Sequence, residues 1–416
     1  MNKDNNSGNR KRNSKPGQSG NAGQRETKDV LAELVERLRE KLNPKVVAKS
    51  PATERPRSAL KPNLDRLTVG VDLGDRLSNY CILDLEGETL GEGQLRTTQE
   101  DLAEFFQSLH KARVVVEVGT HSAWTQDVIA GCGHEVVVAN PRLMEGSKRR
   151  KRKNDRIDAN KLARLGRVDP QSLYPMEHRS TEVRQDLILL RARDALVAVR
   201  TELINTTRGL VKSMGQRLGK CSSRSFAGRA EEELPIAIRE SLLPLVQIAD
   251  ALNDCIKEYD GKIDELANQK YGHTKLLRQI KGVGPITALA YVLTLEKAER
   301  FAKSRDVGPY LGLAPKQEDS GESQPQLGIS KAGDRMVRKL LVGSAQYILG
   351  PFGPDTDLRR YGLRLCERGG KNAKKRAVVA VARKLAVLLH RLWVTGEVYE
   401  PLRNHLSLAS VTTAAA

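Results

Sequence analysis

The chain has 416 residues, with 70 Lys and Arg against 51 Asp and Glu, a formal net charge of +19. That length supplies two or three domains with cores of their own, and that charge points to a polyanionic partner, DNA or RNA first. Aromatic residues are 4% of the chain, which argues against base stacking as the main mode of recognition and for phosphate contacts and shape. The five cysteines, Cys81, Cys132, Cys221, Cys255 and Cys366, are scattered and form no Cys-x-x-Cys pair. They argue against a zinc site or a disulfide framework and fit a reducing cytoplasm. The first 27 residues are polar and basic and show no signal peptide. The most apolar stretch, Ala377 to Trp393, is interrupted by Arg383, Lys384, His390 and Arg391. It reads as an amphipathic helix packed within the protein, and no membrane contact is expected.

In chain order, residues 1–64 read as a basic disordered extension with one short helix, Asp29 to Leu42, and a proline-containing linker. Residues 65–178 form the first expected domain. Strands are expected at Leu67–Leu73, Asn79–Leu85 and Gly91–Arg96, then a helix capped by Thr98 and running to about His110. A strand at Arg113–Val118, a helix at Ser122–Ala130 and a strand at Glu135–Ala139 follow. Three strands, helix, strand, helix, strand is the ribonuclease-H-like order, a central mixed sheet with helices. Residues 179–272 carry two helical patterns, 181–214 and 236–270, expected as a helical hairpin or coiled coil with 215–229 at its tip, a shape suited to dimerisation. An internal helical bundle fits the same periodicity. Residues 273–400 form a mostly α C-terminal domain and 401–416 a tail.

Four carboxylates stand out. Asp72 closes the apolar run Thr68-Val69-Gly70-Val71, and Glu117 closes Val114-Val115-Val116. An acid at the end of a buried strand is costly unless paired or metal-bound. Asp155 and Asp158 lie three apart, on one face of a helix. Together they can hold two Mg²⁺ ions on a phosphodiester. Just before the helical pair comes Lys148-Arg149-Arg150-Lys151-Arg152-Lys153, a run placed to draw a phosphate backbone toward an otherwise anion-repelling site.

Farther on, Lys281-Gly282-Val283-Gly284-Pro285 sits between apolar segments and matches a helix-hairpin-helix pattern. Its glycines permit a tight turn, and the N–H groups that open the next helix can hold a DNA phosphate. Next come Tyr310-Leu311-Gly312-Leu313-Ala314-Pro315, then Asp319-Ser320-Gly321, then Gly328-Ile329-Ser330-Lys331-Ala332-Gly333-Asp334-Arg335-Met336-Val337-Arg338.

With the four acids, these motifs resemble the DEDD transposases of insertion sequences known as the IS-one-ten family, over about Leu67 to Trp393. The resemblance implies a RuvC-like N-terminal domain, a Mg²⁺-dependent site at Asp72, Glu117, Asp155 and Asp158, and a C-terminal transposase domain whose serine joins covalently to DNA. Ser320 matches that serine, and Ser330 is its rival. No histidine lies near either in sequence, so activation falls to metal ions or to Lys331, Arg335 and Arg338 on the phosphate. The resemblance also implies homo-oligomers, a guide RNA encoded by the element, and a place in the bacterial cytoplasm at the nucleoid. The N-terminal extension departs from the family pattern. Competing readings are a Mg²⁺-dependent, Holliday-junction-resolvase-like endonuclease using water, a non-catalytic DNA-binding protein, and an actin-like sugar or acetate kinase suggested by Asp72-Leu73-Gly74.

Overall fold

The computed structural model describes residues 66–141, 155–316 and 327–403, with backbone alone for residues 155 and 156. The expected helix at Asp29–Leu42, the linker, the basic run Lys148–Lys153, Ser320 and nearly all of the tail lie outside the described residues. The chain divides into two compact units, Met1–Arg179 and Ser180–Ala416.

The first unit is built on a mixed five-stranded sheet: β1 (Thr68–Asp72), β2 (Leu77–Leu83), β3 (Thr89–Arg96), β4 (Arg113–Glu117) and β5 (Glu135–Ala139). The strand order is β3-β2-β1-β4-β5. β1 and β2, and β2 and β3, pair antiparallel, whereas β4 runs parallel to β1 and to β5. Helix α1 (Gln99–Ser108) starts where expected, because the Thr98 side chain accepts the Asp101 N–H. The second strand ends two residues earlier than the sequence pattern suggests. There Asp84 turns the chain by accepting the N–H groups of Glu86 and Glu88.

Both sheet faces are covered, which explains unbroken runs such as Val114-Val115-Val116. On one face Val69, Val71, Val114 and Val116 pack with Leu102, Phe105 and Phe106 of α1 and with Ile129 of helix α2 (Ser122–Gly131). On the other, Cys81, Leu83, Val115 and Val137 meet helix α3 (Asp155–Val168) through Ala159, Leu162 and Ala163. Gly70 and Gly166 set this contact. A Cβ on Gly70 would collide with the Ala159 carbonyl oxygen, and one on Gly166 with the Val115 side chain.

The second unit is helical. Helices α4 (Thr181–Ser213) and α6 (Ile236–Gln269) run antiparallel as a long hairpin. Arg193 pairs with Asp260, Arg200 donates to Asn253 at 2.7 Å, and Lys270 pairs with Asp186. On α6 the buried positions Leu242, Val246, Ala249, Ile256 and Ile263 recur at steps of three, four or seven, keeping one seam toward α4. At the far end, α5 (Phe226–Glu233) supplies Phe226 and Ala230 to a separate core with Ile204, Val211 and Leu218. At the near end Val183, Leu187, Ile263 and Ala267 share one core with the C-terminal helices.

Those helices are α7 (Thr274–Leu277), α8 (Pro285–Leu295), α9 (Val307–Tyr310), α10 (Arg335–Leu349), α11 (Asp357–Glu367) and α12 (Ala373–Thr395). Every residue of α8 from Thr287 to Leu295 is buried, and Tyr291 donates its hydroxyl to the Ala386 carbonyl. α12 covers the stretch expected to be amphipathic, and its His390 is held between the Ala298 carbonyl and Ser304. No helix of the described residues is long and apolar enough to cross a membrane.

His273 stacks on Trp393 of α12, with ring planes 10° apart, and its Nε2 is buried without a hydrogen-bond partner among the described residues. Burial holds the imidazole below its ordinary value near 6.5. The neutral ring is therefore the folded form. Its contribution to stability is present above about pH 6.5 and is lost as the pH falls through the lowered folded pKa. Thermal melts of the full chain should show a drop in the second unit's stability on that acid side. His273→Phe, which keeps the stack, should flatten it, and an equally steep drop in that variant would contradict the assignment.

Candidate carboxylate site and nucleic-acid surface

In the first unit the sheet register sets two of the four acids on neighbouring strands. β1 and β4 lie side by side with Val71 opposite Val116, so Asp72 and Glu117 end neighbouring parallel strands and share a face. That face is the one α3 covers, because Val71 and Val116 themselves point to the α1 side. The helix crosses Thr68 and Val115 at Gly166 and Gly70 at Ala159 and Ala163. Its N-terminal end therefore lies toward the carboxyl ends of β1 and β4. Asp158 stands one turn before Leu162, whose side chain packs on Val115 and Val137. Asp155 begins the helix one turn before Ala159, and its side chain lies outside the described residues. Asp72, Glu117 and Asp158 are each partly exposed at this edge.

All four candidate donors are carboxylates, the hard oxygen ligands that Mg²⁺ prefers. Among the described residues, which do not include the Asp155 side chain, no group of three or more His, Cys, Asp or Glu stands close enough to hold a metal ion. The edge also carries residues the sequence reading passed over. His121, in the loop after β4, accepts the Trp124 Nε1–H at Nδ1 and turns Nε2 to the Asp75 carboxylate, 3.5 Å away. Ser122 bonds Gly119 and the ring of His178. The signal for these was Gly119-Thr120-His121-Ser122, polar residues directly after an acid-terminated strand.

In the second unit Lys281–Pro285 forms a turn between a short helix and a longer one. Only α7, four residues long, precedes the turn. Gly282 has φ +98°, and a Cβ there would come within 2.8 Å of Tyr347, so this glycine serves both turn and packing. Gly284 caps α8 with Pro285 at its first position, and Lys281 and Gly284 are exposed. The flanks of the Ser320 segment pair with each other. Lys316 N–H donates to Gly328 and Ser330 N–H to Ala314, at 3.0 and 2.9 Å. Ser330 is thus tied into a backbone ladder. Lys331 follows at φ +57° and, like Arg335, is exposed. Arg338 has a structural task within the fold. Its Nη1 donates to the carbonyls of Leu311, Gly333 and Asp334, binding two glycine-bearing segments together.

Comparison with known proteins decides the family. Residues 69–215 match the DEDD_Tnp_IS110 model, described as a transposase, and residues 274–357 match a model described as the transposase IS116/IS110/IS902 family. The chain belongs to this family of insertion-sequence transposases. It is 28% identical to the transposase for insertion sequence element IS1111A of Coxiella burnetii, over 80% of this chain and 90% of that one. It is 26% identical to a probable family 20 transposase of Pseudomonas aeruginosa, over 82% and 99%. A pilin gene-inverting protein of Moraxella bovis is 27% identical over 33% of this chain and 42% of its own. The transposase is a DNA-acting enzyme with a ribonuclease-H-like DEDD domain, a domain type that depends on divalent metal ions. The kinase and non-catalytic readings are set aside.

Proposed function

We propose that this transposase cuts and rejoins the DNA of an insertion sequence through Mg²⁺ ions held by Asp72, Glu117, Asp155 and Asp158 and through a covalent link to Ser320. The observation that carries the reading is the shared edge of Asp72 and Glu117 beneath the helix that bears Asp158. Bound there, the metal ions would polarise the phosphoryl oxygens and offset the charge that develops on them. The carboxylates position those ions and, uncompensated, would repel the DNA. The basic run Lys148–Lys153, which immediately precedes α3 in sequence, counters that repulsion. Ser320 Oγ forms a bond to phosphorus as the bond to the departing sugar oxygen breaks; the serine proton leaves to solvent and the departing oxygen takes one up. Attack by a strand hydroxyl on the phosphoserine ester reverses the step and frees the serine. Lys331 and Arg335 are the exposed cations nearest in sequence that can stabilise the phosphate. Lys281, Gly282 and Gly284 hold backbone away from the reacting bond.

A guide RNA fits the net charge of +19 and the family resemblance. Homo-oligomers, with the hairpin acting as a coiled-coil arm, draw support from exposed Ile188, Val199 and Ile248 on the two long helices. The place of action is then the nucleoid. The test is a denaturation-resistant protein–DNA adduct formed on element-junction DNA with Mg²⁺. Ser320→Ala should abolish it and Ser330→Ala should retain it. Cleavage that survives in Ser320→Ala with no adduct would instead establish a water-using, resolvase-like nuclease.

A further inference from the structure

A second basic surface borders the Gly328–Arg338 motif and is formed largely by the two helices that follow it. In the second unit, α11, α12 and the paired segments 313–316 and 327–331 enclose a groove of about 1660 Å³, larger than the roughly 300–1,000 Å³ of small-molecule sites. At Gly362, α11 comes close to Val381 of α12. Twelve lysines and arginines line the groove against three carboxylates. Glu397 among those three is engaged by Arg391 and Arg403. Arg364, Arg368 and Arg383 are exposed, and no carboxylate lies within ion-pair distance of them among the described residues. Leu358, Leu365, Ala380 and Leu388 also line it. So many like charges on one concave surface repel each other, and an anion bound along the groove relieves that cost.

We propose that this groove holds one unpaired strand of nucleic acid, phosphates along the arginine rows and sugar and base faces on the apolar lining. The proposal rests on the reading of the protein as DNA-acting and adds the surface and the strand form. Arg364 and Arg368 step by four residues, about 6 Å along the helix, while one strand carries a charge every 3.4 Å or so; Arg360, one step earlier, is held by Asp355. Each step therefore spans roughly two phosphates. A duplex presents phosphates outward and keeps its bases paired inside, so it would leave the apolar lining uncovered. An unpaired strand covers both. Tyr361 adds an aromatic face in the groove, with the Lys384 ammonium 3.9 Å from the ring centroid.

The experiment uses the full chain with Arg364→Gln, Arg368→Gln and Arg383→Gln combined. A labelled single-stranded oligonucleotide and its duplex are titrated across a range of salt. The wild type should bind the strand with a log–log salt slope steeper than the variant's by about 2, at about 0.7 per lost phosphate contact. Duplex binding should change little, and the corresponding Arg→Lys variant should keep the slope. Should the glutamine variant melt lower than wild type, the single substitutions carry the test at about 0.7 each. An unchanged strand slope overturns the groove assignment and leaves the DNA-acting reading intact. Equal losses on strand and duplex overturn the strand form. Polyglutamate bound as tightly as the strand, and lost in the variant, makes the surface a peptide site. A wild type that binds neither nucleic acid overturns both proposals.

Discussion

Asp72→Asn should lower DNA strand cleavage by about 10²–10⁴-fold, the scale of the several kcal/mol that a metal ion contributes to a phosphoryl transition state. Asp72 ends β1 beside the end of β4, and asparagine keeps its size while removing the charge that holds a cation. The fold should survive, because Asp72 is partly exposed and the strand's packing rests on Val69 and Val71. Thermal melts with and without Mg²⁺ separate the two effects. The wild type should gain melting temperature on adding metal, by mass action on the folded state, and the variant should gain little. Wild-type cleavage in the variant would remove Asp72 from the site.

Gly70→Val should do the reverse, damaging the fold first and activity through it. Even a single Cβ at Gly70 collides with the Ala159 backbone, and that backbone belongs to α3, which cannot give locally. Overpacking of this kind costs about 1–3 kcal/mol and sometimes more, and relief requires α3 to lift off β1. The acids at the start of α3 would move with it. Urea unfolding of the full chain should show the first unit's transition at lower denaturant, and cleavage should fall without any change at Asp72 or Glu117. A Gly70→Val protein as stable and active as wild type would show that α3 does not lie against β1 in this way.

Much of the first unit was legible in the sequence because its signals are local. Thr98 before an acidic first turn announced a capped helix, and Val114-Val115-Val116 announced a strand covered on both faces. The acids stood out because each ends or opens such an element. What sequence could not supply was register. Only the pairing of Val71 with Val116 sets Asp72 beside Glu117, and the glycines at 70 and 166 let α3 lie close on the sheet with its N-terminal end toward that edge. Arg338 shows another contact that depends on the fold. Its Nη1 holds the carbonyls of Leu311 and Gly333, backbone groups that no residue pattern advertises. The groove arginines were overlooked because Arg364 and Arg383 belong to separate helices and become one surface only when α11 and α12 pack.

The most direct measurement is on the covalent link itself. The full-length transposase would be reacted with element-junction DNA and Mg²⁺, the adduct digested with nuclease and protease, and the peptide carrying residual nucleotide identified by mass spectrometry. The account predicts the nucleotide on the peptide that contains Ser320, fragmentation placing it on that residue, and no such peptide from the Asp72→Asn protein. Nucleotide on another residue, or efficient cleavage with no nucleotide-bearing peptide, would contradict it.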